Sequence, residues 1–258
     1  MEYHVEPWSH QRATIEKCED RNYHGLFFEM GCGKTATAIN ILRQKCNAEK
    51  RILNTLILCP LIVKENWARE ISIHAPNLEP FTTVLKGIGV NRIKQFSEAP
   101  AGLVVTNIET INMAQLWANI NSRPWDMVIV DESHKFKNPL AKRTKKFLTF
   151  LRDVRPKYRL ILTGTPVLNS PMDLWSQVNI LSSKIFNPNF YAWRAEYFYD
   201  RNAGRVMQNY FPDWKPQKDA APRLNAIVQK HATRVTKDEV LDLPPLVRQR
   251  VHLSLIHI

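Results

Sequence analysis

Short apolar runs that end in polar residues recur along the first two thirds of the chain. Six of these runs are expected to be strands, because four or five apolar or β-branched residues without polar alternation are typical of strands buried on both faces. The runs cover residues 25–29, 56–59, 82–85, 103–106, 127–130 and 159–162. Segments with helical periodicity separate them, so the pattern predicts a three-layer α/β fold with a mainly parallel sheet.

Amphipathic segments between and after the strands predict the helices. Ser9 is expected to cap the first helix, and Asn107 is expected to cap the helix that follows the fourth strand. The helices are expected at about residues 7–20, 35–45, 108–119, 140–152, 171–182 and 223–240. Polar residues gather where the strands end, and in open α/β sheets ligands bind at that edge.

The turn after the first strand carries the pattern of a phosphate-binding loop. Gly31 and Gly33 allow the chain to bend so that backbone N–H groups point inward at phosphate oxygens. Lys34 adds a positive charge for the β- and γ-phosphates of ATP, and the Thr35 hydroxyl suits a Mg²⁺ ligand. Phe28 departs from the general pattern, which has a small residue at that position.

Gln11 joins this turn in the predicted ATP-binding set. Its amide can both donate and accept a hydrogen bond, which is what recognition of an adenine edge requires. A solvent-exposed helix glutamine is the alternative. The predicted set is Gln11, Met30, Gly31, Cys32, Gly33, Lys34 and Thr35.

Two adjacent acids, Asp131 and Glu132, follow the fifth strand. Asp131 is expected to hold Mg²⁺ together with Thr35, and Glu132 is expected to orient and deprotonate the attacking water. With Lys34 they form the predicted catalytic group. A solvated strand end is the alternative for the acid pair. Residues 163–166 form a polar turn at the next strand end, close to the same edge of the sheet.

Charge narrows the range of partners. The net charge of +12 favours a polyanion, and ATP, nucleic acid or an anionic membrane surface would each satisfy it. The helix at about 140–152 concentrates basic residues, which form either a phosphate-contacting surface or an ordinary solvated face. These residues are Lys142, Arg143, Lys145 and Lys146.

The cysteines and the start of the chain indicate the compartment. Four cysteines lie far apart without a C-x-x-C pair, so free thiols in a reducing compartment are expected and zinc is not. The chain opens without a basic region followed by an apolar run, and no stretch approaches the length of a membrane span. A cytoplasmic protein is therefore expected, or a nuclear one if the source is eukaryotic.

Aromatic residues become frequent near the end of the chain. Residues 186–214 hold ten of the 25 aromatic residues, which predict the core of a small helical extension rather than a base-stacking surface. The expected division is an ATP-binding lobe over 1–184, a helical extension over 185–242 packed on that lobe, and a linker over 243–258.

Together these motifs resemble the Swi/Snf-type family of ATP-driven DNA translocases, within helicase superfamily two. They follow the order of the superfamily-two motifs, and the resemblance covers nearly the whole chain. The motifs are Pro7 with Gln11, Met30-Gly31-Cys32-Gly33-Lys34-Thr35, Cys59-Pro60-Leu61 with Trp67, Thr106-Asn107, Asp131-Glu132-Ser133-His134, Leu162-Thr163-Gly164-Thr165-Pro166-Val167-Leu168-Asn169-Ser170 with Leu174-Trp175, and Arg234-Val235-Thr236-Lys237-Asp238-Glu239-Val240 with Leu243-Pro244-Pro245.

The resemblance implies two RecA-like lobes, with ATP and duplex DNA bound between and across them and no preference for DNA sequence. This chain resembles the first lobe. It is therefore expected to be a fragment of low ATPase activity, whose second lobe in the full-length chain carries the arginine fingers. Compact motif spacing suggests a bacterial or viral member.

The resemblance also assigns roles to further residues. Those implied to couple nucleotide to DNA are His134, Thr163, Gly164 and Thr165. Those implied to contact DNA are Pro60, Lys64, Thr106 and Asn107.

Three other functions stay open at this point. A nucleotide-gated module would clamp DNA without turnover, but intact Lys34, Asp131 and Glu132 argue against it. An RNA helicase of the DEAD-box kind would have Asp where this chain has His134, and it would lack the exit Leu243-Pro244-Pro245. A helicase subunit of a restriction, defence or recombination system would carry its effector domain elsewhere in the full-length protein.

Overall fold

The computed structural model describes residues 3–166, 170–204 and 210–240. Its strands are β1 (Tyr23–Phe28), β2 (Thr55–Cys59), β3 (Thr82–Val84), β4 (Leu103–Asn107), β5 (Met127–Asp131), β6 (Tyr158–Leu162), β7 (Phe198–Asp200), β8 (Trp214–Pro216) and β9 (Ala232–Val235). Seven of them form one sheet in the order β3-β4-β2-β5-β6-β1-β9, and every neighbouring pair is parallel. All six strands predicted from apolar runs are present in it.

Helices occupy the connections between these strands. They are α1 (Ser9–Lys17), α2 (Lys34–Ala48), α3 (Lys64–His74), α4 (Gly89–Glu98), α5 (Ala114–Ser122), α6 (Lys142–Val154), α7 (Leu174–Leu181), α8 (Phe190–Tyr197), α9 (Ala220–His231) and α10 (Lys237–Val240). In the described ranges, no helix has the length and apolar character that a membrane crossing needs.

The sheet separates two hydrophobic cores, because successive side chains of a strand point to opposite faces. In β2, Ile57 and Cys59 pack into the core beneath α1, α2 and α3. Leu56 and Leu58 pack into the core beneath α4, α5, α6 and α7. Both faces are thus covered, which confirms the three-layer prediction and explains why the strands are apolar throughout.

A third core holds the aromatic segment that follows α7. Trp193 of α8 is fully buried, with its ring 5.4 Å from the Phe186 ring and 5.5 Å from the Phe198 ring. Leu174 of α7 and Leu224 of α9 complete the contact with the lobe. Five of the ten aromatic residues therefore form a core, as predicted, whereas Tyr191, Tyr199, Tyr210 and Phe211 are exposed. Strands β7 and β8 add an antiparallel hairpin that was not predicted from sequence.

The predicted helix over 223–240 is present but too long. The helix α9 ends at His231, and the next residues form β9, which pairs with β1 at the edge of the main sheet. The range 185–242 is therefore not a purely helical extension, since one of its strands belongs to the sheet of the lobe. The predicted linker over 243–258 lies outside the described residues.

Two predicted helix caps are also corrected. The first helix has Trp8 rather than Ser9 at its cap position, and the Trp8 N–H donates to Gln11 Oε1 at 2.8 Å. The segment Ile108–Asn112 is a 3-10 helix, and α5 starts only at Ala114. The amide of Asn107 donates to Glu109 Oε2 at 2.7 Å, so it does not cap an α-helix.

Candidate nucleotide-binding site

The turn between β1 and α2 has the backbone of a phosphate-binding loop. Gly31 and Gly33 both adopt positive φ, at 89° and 75°, a conformation that side chains with a Cβ strongly disfavour. Cys32 between them is fully buried, and its N–H donates to the carbonyl of Glu29 at 3.2 Å. The turn ends where α2 begins, so it lies at the positive end of that helix dipole.

Lys34 is bonded to the carbonyl oxygens of its own turn. Its Nζ donates to Phe28 O at 2.7 Å and to Glu29 O at 3.3 Å. A Cβ built on Gly164 would lie 3.7 Å from that Nζ, so the end of β6 closes over the ammonium group. The charge therefore lies between the turn and residues 163–166. A phosphate bound there would replace carbonyl partners that Lys34 already has.

Gln11 lies against this turn and is 6% exposed. Its oxygen accepts from the Trp8 N–H at 2.8 Å, and its nitrogen donates to Gly33 O at 3.4 Å. The Gln11 amide thus ties α1 to the first residue before α2. Recognition of an adenine by this amide stays a prediction.

Asp131 ends β5, and its carboxylate is only 7% exposed. Oδ2 accepts from Trp67 Nε1 at 3.0 Å, and Oδ1 accepts from the Glu132 N–H at 2.9 Å. Burial raises the pKa of the Asp131 carboxyl, whereas the Trp67 donor and the Lys34 charge oppose that rise. The two donors hold the carboxylate in one orientation and leave further lone pairs free.

Glu132 follows with a backbone conformation that is unusual for its residue type. Its φ of 52° and ψ of 52° lie in the left-handed region, where a residue other than glycine is strained. Its side chain is partly exposed, and Oε2 lies 3.0 Å from His134 Nδ1. Such a turn directs the carboxylate away from the strand and back over His134.

His134 connects the acid pair to the turn after β6. Its Nδ1 also lies 3.3 Å from Thr163 Oγ1, and that hydroxyl accepts from the Thr165 N–H at 3.2 Å. Burial lowers the pKa of the His134 imidazole, whereas the neighbouring Glu132 carboxylate acts to raise it. The structure therefore brings together three of the four predicted coupling residues, and the fourth, Gly164, faces Lys34.

Gln177 is part of this network, although no sequence pattern predicts it. Its Oε1 accepts from Ser133 Oγ at 2.9 Å, and its Nε2 donates to Pro166 O at 2.6 Å. The side chain is fully buried on α7. A second bridge therefore joins the segment after β5 to the segment after β6.

Most of the implied DNA contacts after β2 and β4 are buried. Lys64 donates to Leu85 O at 2.6 Å, and Thr106 has no exposed surface and accepts from Arg92 Nη2 at 2.5 Å. Asn107 is 5% exposed and is bonded to Glu109. Direct DNA contact does not fit these three side chains, which instead fix the backbone at the strand ends. Pro60 is partly exposed, and its contact stays a prediction.

The four residues of α6 that are predicted to contact DNA fall into two pairs. Arg143 donates to Lys135 O at 2.5 Å and lies over the Phe136 ring, and Lys146 donates to Ile111 O at 3.2 Å. Lys142 and Lys145 are exposed. Only the second pair is presented to solvent without a backbone carbonyl as partner among the described residues.

The donor set fits a magnesium ion. Mg²⁺ prefers oxygen ligands and usually takes only one or two from the protein, with phosphate and water completing its shell. Asp131 offers a carboxylate with lone pairs free, and Thr35 offers a hydroxyl in the first turn of α2. Among the described residues, no three or more His, Cys, Asp or Glu side chains are arranged so that they alone could hold a metal ion. The four cysteines are buried and unpaired.

The fold and the site define a parallel α/β lobe with a phosphate-binding turn and an acid pair at one edge of its sheet. The chain matches the SNF2-related domain family over residues 13–258, and the protein belongs to that family.

Its relatives include the probable ATP-dependent DNA helicase CHR12 of Arabidopsis thaliana, 30% identical over 226 residues, and the TATA-binding protein-associated factor mot1 of Aspergillus fumigatus, 32% identical over 251 residues. These alignments cover 86% and 90% of this chain but only 20% and 12% of the two relatives.

Solved structures confirm the fold. The SWI2/SNF2 ATPase core of Sulfolobus solfataricus in complex with dsDNA superposes with a TM-score of 0.74 and 24% identity, over 94% of this chain and 47% of that one. The ATPase core domain from the same organism gives a TM-score of 0.67 over 93% of this chain and 48% of that one. The lobe is therefore RecA-like, as the resemblance implied.

Proposed function

We propose that this chain is the nucleotide-binding lobe of an ATP-driven translocase that moves along double-stranded DNA without sequence preference. One observation carries the proposal. Lys34, Asp131, Glu132 and Thr163 follow the ends of β1, β5 and β6, which are neighbours in the sheet, and hydrogen bonds through His134 connect Glu132 to Thr163. A charge for phosphates, a carboxylate for Mg²⁺ and a base for water thus share one edge.

The turn and Lys34 would bind the phosphates. Backbone N–H groups of the turn and the helix dipole of α2 favour anions, and Lys34 would exchange its carbonyl partners for the β- and γ-phosphate oxygens. Thr35 and Asp131 would hold Mg²⁺, which neutralises charge that develops on the transferred phosphoryl group.

Glu132 would orient and deprotonate the attacking water. Its carboxylate is partly exposed and lies 3.0 Å from His134 Nδ1, which holds it in one orientation. A change at this carboxylate would be transmitted through the His134 imidazole to Thr163 and Thr165, in the turn after β6.

Duplex DNA is the partner that the observations favour. The similar CHR12 is named as a probable ATP-dependent DNA helicase, and the structural neighbour with the higher TM-score is in complex with dsDNA. The exposed Lys142 and Lys145 and the net charge of +12 suit a phosphate backbone. A partner of this kind implies the bacterial cytoplasm or the eukaryotic nucleus.

The chain spans less than half of each solved ATPase core and at most a fifth of the two relatives. We therefore propose that full turnover needs a second lobe. An arginine finger contributes about 10³–10⁵ in rate in comparable NTPases, and the resemblance assigns those arginines to that lobe.

Calorimetric titration with Mg·ATP tests the proposal on this chain. Lys34→Ala should weaken binding by about tenfold or more, because the charge on the phosphates is lost while the backbone cradle stays. Glu132→Gln should bind Mg·ATP nearly as the wild type does, yet lower hydrolysis by about a hundredfold in a protein with both lobes.

Lys94→Ala, at an exposed lysine of α4, is the control for the loss of one charge. Unchanged Mg·ATP affinity in folded Lys34→Ala would refute the nucleotide site. Wild-type hydrolysis by Glu132→Gln would remove Glu132 from its role as base. Equal binding of duplex RNA and duplex DNA would favour the RNA helicase alternative.

A further inference from the structure

We call the turn between β1 and α2, residues 29–33, the nucleotide-binding turn. A cleft of about 800 Å³ opens at the opposite edge of the sheet. It lies where β1 and β6 begin and where α6 and α7 end. Its basic side chains are Arg152, Arg155, Lys157, Arg159 and Lys184. Within the described ranges, no Asp or Glu side chain lines this cleft.

Arg159 has a structural role there. Its guanidinium donates to Leu151 O at 3.1 Å and to Ile180 O at 3.4 Å. Those carbonyls belong to the last turns of α6 and α7, where backbone acceptors lack helical partners and the helix dipoles are negative. Arg159 therefore compensates the negative ends of the two helices. The other four basic residues are not required for that role.

Those four are held to different degrees. Lys157 pairs with Glu49, and Arg152 contacts Asp153. Arg155 and Lys184 are exposed, and neither has a carboxylate partner among the described residues. Like charges gathered in one concave surface repel each other, and they attract a polyanion more strongly than isolated charges do.

A second, smaller cleft of about 390 Å³ continues this surface. The two clefts share Asn22 and Tyr23, and the second adds Arg21, Lys230 and His231. Its acidic member is Asp20. We call the surface lined by both clefts the rear groove.

The rear groove is basic and partly apolar. The Tyr23 ring lies 5.7 Å from the His231 ring at the point where the two clefts meet. Leu148 and Leu181 add apolar walls between the basic side chains of the larger cleft. Proteins that bind single strands combine such a positive groove with aromatic rings on which bases stack.

We propose that the rear groove binds the backbone of a single nucleic-acid strand. A single strand can lie in a narrow concave surface with its phosphates on Arg155 and Lys184 and a base against Tyr23. A duplex keeps its base faces stacked inside the helix, and an acidic peptide lacks flat faces, so neither offers a base face to the Tyr23 ring and the apolar walls.

This site is separate from the surfaces proposed above. The six residues of β1 span about 20 Å between the groove and the nucleotide-binding turn. Along α6, the ten-residue separation of Lys142 and Arg152 corresponds to a distance of about 15 Å. The groove therefore adds a second nucleic-acid contact that does not depend on the nucleotide site.

Fluorescence anisotropy with a short labelled oligothymidylate tests the proposal. Saturating unlabelled duplex DNA is added to occupy the proposed duplex-binding surface around Lys142 and Lys145. The labelled strand then cannot bind there. The variant Arg155→Asn/Lys184→Gln removes two exposed charges, and Asn suits the φ of 53° at position 155. The matched control is Lys94→Gln/Lys218→Gln, which removes two exposed charges elsewhere.

We expect the groove variant to bind the strand at least about fivefold more weakly at low salt, and its log–log salt slope to be smaller by about 1.4, since each lost single-strand phosphate contact contributes about 0.7. Control and wild type should agree. Equal affinities of groove variant and control would overturn the proposal.

Competitors separate the chemistry of the ligand. If tripolyphosphate is as effective as unlabelled oligothymidylate in displacing the strand at equal phosphate concentration, the groove binds phosphate alone, and that result would overturn the proposal. Equal displacement by polyglutamate would show that the groove binds acidic peptides, and it would also overturn the proposal. Mg·ATP affinity should be unchanged in the groove variant, so a failure here is distinguishable from a failure of the nucleotide site.

Discussion

Gly33 brings the nucleotide-binding turn and the first helix into contact. Its φ of 75° is a conformation that glycine adopts without strain, and it starts α2. A Cβ built there would lie 1.8 Å from Gln11 Nε2, which is the atom that donates to the Gly33 carbonyl. Backbone conformation and close approach therefore both require glycine at this position.

Gly33→Ala should destabilise the lobe and loosen the turn. The left-handed backbone alone costs about 1–2 kcal/mol for a residue with a Cβ. Displacement of Gln11 should add about 1 kcal/mol for the lost hydrogen bond. Urea denaturation measures the loss, and we expect Mg·ATP affinity to fall with it. Gly204→Ala is the control, since Gly204 has a φ of 78° and nothing within 4 Å of its built Cβ. Equal losses in both variants would contradict a specific role for Gln11.

The chemistry of the site residues could be predicted from sequence, but their partners could not. Lys34, Asp131 and Glu132 follow apolar runs, so their place at one sheet edge follows from the pattern. Trp67 and Gln177 reach Asp131 and Ser133 across 64 and 44 residues of chain. Contacts of that range depend on how helices pack on the sheet, which no local pattern encodes.

At the scale of the element, α6 divides its positive charges between structure and solvent. Its buried residues, Phe147 and Phe150 among them, face the core beneath the sheet. Arg143 bonds to the Lys135 carbonyl and lies 5.5 Å from the centre of the Phe136 ring. Lys142 and Lys145 point to solvent. The helix α6 thus presents the charges of Lys142 and Lys145 to a partner, whereas Arg143 fixes the helix to the segment after β5.

Replacing Lys142 and Lys145 by glutamine should weaken binding to duplex DNA and lower its salt dependence. Each phosphate contact on a duplex contributes about 0.9 to the log–log slope, so the slope should fall by about 1.8. Fluorescence anisotropy across a salt series measures it, with Lys94→Gln/Lys218→Gln as the matched control. The same slope in both double variants would assign these lysines to an ordinary solvated face.

Element types were predictable where burial alone decides them. Strands β2, β4 and β5 are buried along their whole length, so their apolar runs are unambiguous. The strand β9 has the sequence Ala-Thr-Arg-Val. The sequence pattern predicts helix there, because four residues that continue a helical pattern carry no strand signal of their own. It is extended because β1 offers an unpaired edge, and that edge is a property of the folded sheet.

At the scale of the whole molecule, β9 ties the end of the described chain to its beginning. It pairs with β1 from Gly25 to Phe28, about 200 residues earlier, and extends the sheet beyond the nucleotide-binding strand. His24 of β1 adds a side-chain link, since its Nε2 lies 2.8 Å from Thr233 Oγ1. The imidazole is 1% exposed.

Burial lowers the pKa of the His24 imidazole from 6.5 to about 3, and the nearby charges of Lys17 and Arg21 act in the same direction. The unfolded chain therefore binds a proton below pH 6.5 that the folded lobe does not accept until about pH 3. This contribution to stability is complete above pH 6.5 and is lost progressively as the pH falls toward 3.

We expect the free energy of unfolding of the wild type to fall, relative to His24→Gln, by about 2 kcal/mol between pH 7 and pH 5. Glutamine keeps a polar group opposite Thr233 but cannot take up a proton in this range. Urea denaturation of both proteins at each pH measures the difference, which cancels the titration of every other group. His4→Gln, at an exposed position, should show no such change relative to the wild type. A constant difference between wild type and His24→Gln from pH 7 to pH 5 would mean that the folded lobe admits a proton to His24 as readily as the unfolded chain does. The link between β1 and β9 would then have to open without unfolding the lobe.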